Sequence, residues 1–461
     1  MSRPNFVLIQ SDQHRFDCVG VNGASRPRTP NMDRMAAEGV NFSHAFCPIP
    51  LCVPARNTML TGQWPTGHLC IANWDTEAPR PPADDLPVFS RVLHDAGYRL
   101  GYVGKWHVHQ HKDPTDYGFD EYVPESAYAR WREEQGIPPV PTANSWLGEP
   151  DPHIIPEQSA MAFGADHAIR MIEEAADKRL PFFVRWDPSE PHLPCRPPEP
   201  YASMYPPDEI PPWPSFGDRF EGKPYAQAQQ LRTWHLDGWT WEQWAPVVSR
   251  YFGEISLLDA QVGRIIDAVD RLGLGPDTLI VYTVDHGDMC GAHGMIDKHF
   301  IMYDDVMRVP MIARWPGVIP AGRTCDDFVI NSLDLPGTFL ELAGLPVPAT
   351  FRGEGLVPLL RDEGTNGRED VFGMYHGNQF GLFSQRMVRD RRWKYVWNAT
   401  AEDELYDLET DPAELRNLAT DPACAGELAR LRRRLVAWME RIEDRLLNRW
   451  TRPQILEGLS H

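Results

Sequence analysis

The chain has 461 residues, 42% hydrophobic and 24% charged, a composition that excludes a disordered, collagen-like or coiled-coil protein. Its 45 basic and 65 acidic residues leave a net charge of −20, which excludes non-specific binding to nucleic acid or to an anionic membrane surface. The length exceeds the roughly 250–300 residues at which single cores stop growing. It predicts a large domain, placed at 1–350, and a smaller one at 351–461.

The first apolar run, Phe6-Val7-Leu8-Ile9, is too short for a signal-peptide core, and no small-residue cleavage site follows it. The expected location is therefore cytoplasmic. No stretch reaches the about 18 apolar residues needed to span a bilayer. Asn5 to Gln10 reads as a buried strand ending at Ser11-Asp12-Gln13. Val88, Phe89, Val92, Leu93 and Ala96 share a helical face closed by Gly97. A strand over 99–103 follows and ends at Gly104-Lys105-Trp106-His107. Another, over 182–186, leads to Asp187 and His192.

Residues 188–214 hold eleven of the chain's 44 prolines and read as a long loop. The tryptophans at 234, 239, 241 and 244 come next and are expected to pack or to make an oligomer contact. Ile255, Leu258, Val262, Ile265, Ile266 and Val269 form a helical face closed by Gly273. A strand over 278–284 ends at Asp285-His286-Gly287-Asp288. Beyond about residue 350, strands are predicted at 393–397 and 404–408, with a terminal helix over 425–447. Strands alternating with helices predict a mainly parallel α/β sheet with helices on both faces, followed by a smaller α+β unit. Ligands bind such sheets beyond the carboxyl ends of the strands. The unusual polar residues gather at those ends.

The eight cysteines form no Cys-x-x-Cys pair, so neither a disulfide framework nor a structural zinc site is expected. Cys52 differs from the others by its context, Pro50-Leu51-Cys52-Val53-Pro54-Ala55-Arg56, which ends at Thr61-Gly62. Pro54 suits the first turn of a helix and Gly62 its end. Cys52 then lies at a helix N-terminus, where free N–H groups favour an anion, and Arg56 faces back toward it.

Cys-x-Pro-x-Arg with a following Thr-Gly resembles the signature of type I sulfatases in the alkaline phosphatase superfamily, with Ala55 where serine is commonest. The resemblance runs in scattered blocks from residue 4 to about 417. It includes Arg308-Val309-Pro310 and Glu404-Leu405-Tyr406-Asp407-Leu408. It implies that a formylglycine-generating enzyme oxidises Cys52 to formylglycine (3-oxoalanine). One hydroxyl of the hydrated aldehyde attacks sulfur, and the other releases sulfate as the aldehyde re-forms. It implies one divalent metal held by Asp12, Gln13, Cys52, Asp285 and His286. Oxygen donors suit calcium, magnesium or manganese, and the imidazole shifts preference toward manganese.

Asp-Gln and Asp-His in place of the family's commoner Asp-Asp and Asp-Asn are similar to the branch with choline sulfatases and phosphonate monoester hydrolases. Lys105, His107, His192 and Lys298 match the family's catalytic and sulfate-holding positions, Arg56 the residue supporting formylglycine, and Asn73 a substrate-binding asparagine. His107 or His192 would protonate the leaving alcohol. His293 and His299 are assigned no role. The expected substrate is a small anionic sulfate ester, with a phosphonate monoester or phosphodiester as the alternative, and a homo-oligomer is compatible with the sequence. Lys105 and His107 favour the sulfate reading.

Overall fold

The computed structural model describes residues 3–73, 85–298, 300–377 and 383–458. Eight strands form the central sheet. Their spatial order is Glu121–Pro124, Arg99–Gly104, Phe182–Asp187, Asn5–Ser11, Thr278–Val284, Ile312–Arg314, Val40–Phe42 and Arg323–Cys325. The first five run parallel, and Ile312–Arg314 is antiparallel to both of its neighbours. Asn5–Ser11 is buried along its whole length, which is why it reads as an unbroken apolar run rather than an alternation. Phe6 and Leu8 join Leu100, Phe183 and Leu279 in one core. Val7 and Ile9 join Val184, Trp186 and Tyr282 in the other, beneath the helices Ala160–Asp177 and Trp241–Arg271. Each such side chain contributes about 1.5–3 kcal/mol when fully buried.

The register decides where the polar residues emerge. Ser11 lies opposite Val284, Ile9 opposite Trp186, and Gly104 opposite Asp187. Four adjacent strands therefore finish nearly level, with Lys105, Asp187, Asp12 and Asp285 at their carboxyl ends. A slip of one residue would turn the apolar side chains around and break up this row. Gly104 has φ +100°, and a Cβ there would lie 2.1 Å from the Asp187 carbonyl oxygen, so only glycine lets these two strands end so close together.

The four expected strands are present, and the helix predicted after residue 88 runs from Phe89 to Asp95. The helix predicted around Ile255–Val269 is longer than its apolar face suggested, reaching from Trp241 to Arg271 with Pro246 inside it. A capping box between Thr240 and Gln243 starts it. Pro246 lies in its second turn, and residue Glu242, whose carbonyl loses its bond there, is exposed. The tryptophans pack: Trp244 is fully buried, Trp239 lies 5.5 Å from it, and Trp241 donates to the Ile210 carbonyl. They hold the proline-rich loop against the long helix.

A second, antiparallel sheet orders Val371–Gly377, Phe383–Arg389, Trp393–Asn398 and Glu404–Asp407. The helix behind it spans Ala425–Arg441 and stops short of the predicted Leu447. The chain turns at Glu443, φ +53°, so that Asp444 can pair with the buried Arg386. This sheet is tied to the first. Lys394, fully buried, pairs with Asp304 and Glu414 and donates to the Met302 carbonyl at 3.0 Å. The long segment between the strands at Thr278–Val284 and Ile312–Arg314 is thus clamped from below. No helix among the described residues is long and apolar enough to cross a membrane.

Two buried histidines, His14 and His68, and the half-buried His44 weaken the fold in acid. Burial lowers His14 to about 4 and His44 and His68 to about 3, with Arg308, Arg389 and Arg391 adding to the effect at His44. His68 accepts from the Cys70 N–H through Nδ1 and meets Thr58 Oγ1 through Nε2, a neutral tautomer that a second proton would break. The folded pKa values lie below the unfolded value near 6.5. Their stability is therefore present above pH 6.5 and is lost as the pH falls toward 3. The expected result is a difference between wild type and a variant that lacks one of these imidazoles. His68→Gln should decline less between pH 6.5 and 4, and melting curves over pH 4–8 check this.

Candidate active site

The first turn of the helix Cys52–Thr61 points its N-terminus at the row of strand ends. Leu51, in extended conformation, precedes it, and the side chain of Asn73 reaches back to accept from the Val53 N–H at 3.1 Å. Asn73 therefore caps the helix that presents Cys52. Gly62, φ +61°, ends the helix.

Cys52 Sγ lies 3.2 Å from His286 Nε2 and 3.8 Å from Asp12 Oδ1. One donor atom from each of Asp12, Cys52, Asp285 and His286 falls within 4.8 Å of the others, and all four residues are buried. His286 Nδ1 donates to the Gly287 carbonyl at 2.9 Å, which leaves Nε2 as the ring atom facing the cluster. Two carboxylates, a sulfur and an imidazole can hold a divalent cation. The charges argue the same way: burial and the neighbouring Asp12 push Asp285 up although His286 and Arg56 lower it, so a further positive charge at the cluster would stabilise both carboxylates.

Arg56 ties this cluster together. Its guanidinium, wholly buried, donates to Asp285 Oδ2 at 3.1 Å, Asp12 Oδ2 at 3.1 Å, Asp187 Oδ2 at 2.6 Å and the Lys105 carbonyl at 3.1 Å. Lys105 Nζ lies 2.7 Å from Asp12 Oδ2. Lys298 Nζ contacts Asp297 at 3.0 Å, Gln13 Oε1 at 2.9 Å and His192 Nε2 at 2.9 Å. Burial and Asp12 raise the Cys52 thiol, but Lys298, Lys105 and His286 outweigh them and hold it well below its ordinary range. Burial opposes ionisation of Asp12, yet Lys105, His192 and Arg56 hold it well below the usual carboxylate range. Burial lowers His286, while Asp285 and Cys52 raise it to about 9. The cluster thus packs buried cations and anions against one another inside an acidic protein.

Of the sequence-predicted residues, Asp12, Cys52, Arg56, Lys105, His192, Asp285, His286 and Lys298 converge. Gln13, φ +65°, stands beside them with its amide engaged, accepting from Lys298 and donating to Asp288. His192 Nδ1 donates to the Leu193 carbonyl at 2.6 Å, and its Nε2 accepts from Lys298. His107, φ +45°, is exposed and makes no hydrogen bond or ion pair among the described residues. His293 stacks on Tyr303 and contacts Asp218 at 2.6 Å, away from the cluster. His299 lies outside the described residues.

Sequence reasoning assigned no role to Asp187, which holds Arg56 and accepts from Tyr102, or to Asp288, which holds Gln13. Both sit at the same strand ends as Asp12 and Asp285, a placement that could have singled them out.

The order of the large sheet and a site across its carboxyl edge define an alkaline phosphatase-like fold, as the sequence implied. The chain belongs to the sulfatase family and is a sulfuric ester hydrolase. Residues 4–345 match the family described as Sulfatase, and residues 291–441 match N-sulphoglucosamine sulphohydrolase, C-terminal. The chain is 28% identical to an arylsulfatase of Clostridium perfringens, across 96% of this chain and 95% of that protein. It is 26% identical to an N-acetylglucosamine-6-O-sulfatase of Bacteroides thetaiotaomicron, across 90% of this chain and 82% of that one. Among solved structures it resembles a phosphonate monoester hydrolase of Agrobacterium radiobacter. That match has TM-score 0.83 and 27% identity and covers 95% of this chain and 96% of the other.

Proposed function

We propose that the protein hydrolyses a sulfate monoester with Cys52, matured to formylglycine, as the source of the nucleophile and with one divalent metal. The observation that carries this reading is the meeting of Cys52 Sγ with His286 Nε2 at 3.2 Å, at a helix N-terminus and between two carboxylates and two lysines. Asp12, Asp285, His286 and the residue at 52 would hold the metal, with Gln13 beside them. The donor set suits calcium or manganese, and the imidazole favours manganese. The bound metal supplies positive charge that polarises a sulfate oxygen and acidifies a hydroxyl. The modified residue supplies a hydrated aldehyde, and its formation needs a formylglycine-generating enzyme.

The chain's own residues do the rest. Lys105 and Lys298 reach the anion from two sides, and preorganised charge of this kind is usually the largest catalytic term. Arg56 fixes Asp12 and Asp285 in place. His192, its Nδ1 proton fixed on Leu193, carries a proton on Nε2 to the leaving oxygen once Lys298, which donates to that atom, turns to the sulfate. Asn73 keeps the helix N-terminus aimed at the site.

The phosphonate monoester is the second reading, favoured by the likeness to the Agrobacterium enzyme. The test is kcat/KM for an aryl sulfate and an aryl phosphonate monoester with the same leaving group, on one metal-loaded preparation. A sulfate preference of about a thousandfold or more, roughly 4 kcal/mol of transition-state discrimination, is the expected outcome. A preference for the phosphonate would transfer the assignment to the second reading.

A further inference from the structure

A cavity of about 310 Å³ lies beside the charged cluster, lined by Lys105 and His192 and also by Glu190 and Glu254. That volume is at the lower end for a small-molecule pocket and suits one ring or a short alcohol. The first two residues belong to the proposed sulfate site. The carboxylates play no part in it.

Glu254 projects from the long helix Trp241–Arg271 and is 4% exposed. One of its oxygens accepts from the Arg196 N–H at 2.7 Å, and the other has no hydrogen bond among the described residues. Glu190 stands two residues before His192, and no cation among the described residues lies within ion-pair distance of either carboxylate. The cations nearby are engaged elsewhere: Lys105 with Asp12 at 2.7 Å, Arg132 with Asp151 at 2.6 Å, and Arg196 through Nη2 with the Ser145 carbonyl at 3.4 Å. Burial and repulsion from Glu190 push Glu254 up to about 8, so without a cation beside it the group is largely protonated at neutral pH and ionises when one enters.

A buried carboxylate without a partner is costly, and a protein gains nothing in stability by keeping Glu254 beside the half-buried Glu190 on one cavity. A ligand that brings the missing cation removes that cost. An ionised carboxylate only accepts hydrogen bonds, so the complementary group is an ammonium carrying N–H donors rather than a quaternary one. We infer that the cavity receives the alcohol part of the substrate, and that Glu190 and Glu254 select a leaving group bearing a primary ammonium. The substrate class is then a sulfate monoester of an amino alcohol or amino sugar. The inference rests on the sulfate-ester reading.

The test uses three esters, 4-(aminomethyl)phenyl, 4-(hydroxymethyl)phenyl and 4-(trimethylammoniomethyl)phenyl sulfate, with the matured protein and its Glu254→Gln and Glu190→Gln variants. The readout is the kcat/KM ratio of the aminomethyl to the hydroxymethyl ester, in which intrinsic reactivity and any general loss of activity cancel between proteins. The ratio should fall about tenfold or more in each variant, the size of one charge-assisted hydrogen bond. The trimethylammonio ester should show a smaller fall. A ratio unchanged within about twofold, or an equal fall for the quaternary ester, would overturn the selection of a primary ammonium.

Calorimetric binding of 4-(aminomethyl)phenol and 4-(hydroxymethyl)phenol to the same three proteins needs no turnover. Glutamate-dependent binding of the amine alone, with none of the esters cleaved, would overturn the sulfate reading and keep the cavity assignment. Cleavage of the hydroxymethyl ester with glutamate-independent ratios and binding would do the reverse.

Discussion

Replacing Cys52 by alanine is expected to take sulfate-ester turnover to background, a fall of about 10⁶ where a covalent nucleophile carries the reaction. The fold should survive. Cys52 is 2% exposed but packs only a small side chain, and its charge is repelled by Asp12. The melting temperature should therefore stay within a few degrees, about the span that 1 kcal/mol moves. Cys52→Ser should be equally inactive after expression with a cysteine-specific maturation enzyme, although it keeps a hydroxyl at the same place. Mass spectrometry of the peptide containing residue 52 completes the test. An active wild-type preparation should carry the aldehyde, and one from cells lacking the maturation enzyme should carry the thiol and be inactive. Full activity in the thiol form would falsify the formylglycine assignment.

The second large effect belongs to Arg56. Its removal leaves Asp12, Asp187 and Asp285 buried around a hole that held their shared cation. Breaking a buried pair by deleting one partner costs about 3–5 kcal/mol, because the remaining charge has nowhere to go. Arg56→Ala should lose at least that much in denaturant titration and have no measurable activity. Arg56→Lys separates charge from geometry. A lysine keeps the charge but lacks the planar fork that reaches three carboxylates and the Lys105 carbonyl. It should recover part of the stability while kcat/KM stays down by about 10²–10³, the usual cost of losing one preorganised electrostatic contact. Manganese or calcium should raise the melting temperature of both variants more than that of wild type, since the metal supplies the charge that the substitution removed or misplaced. An Arg56→Ala protein as stable as wild type would show that the three carboxylates do not depend on the guanidinium.

The parts of the site written into single strands could be read directly. Asp12, Asp285 and Lys105 each follow a short apolar run, so their positions follow from the strand itself and from where parallel sheets bind ligands. Cys52 was legible through the proline and glycine that bound its helix. Contacts made across the fold were not. Glu190 and Glu254 lie 64 residues apart in sequence and meet only because the proline-rich loop folds back over the long helix. The strands Val371–Gly377 and Phe383–Arg389 escaped notice for a related reason. The second is FSQRMVR, whose buried Gln385 and Arg386 look solvated until Asn398 and Asp444 are set beside them. The start of the helix at Trp241 was hidden by Pro246 and by aromatic residues with little helical signal of their own.

The register of the central sheet also sets a clock. Asn5–Ser11 lies between Phe182–Asp187 and Thr278–Val284, so the wall around Cys52 cannot close until most of the chain has been made. Lys298, which helps complete the pocket, is translated 246 residues after Cys52. At about 5–20 residues per second that interval is on the order of tens of seconds. Throughout it the thiol stands on an open, extending chain, and afterwards it is sealed. On the formylglycine reading proposed above, maturation of residue 52 would be a race between the modifying enzyme and the ribosome, and slower elongation downstream of Cys52 should yield a larger active fraction.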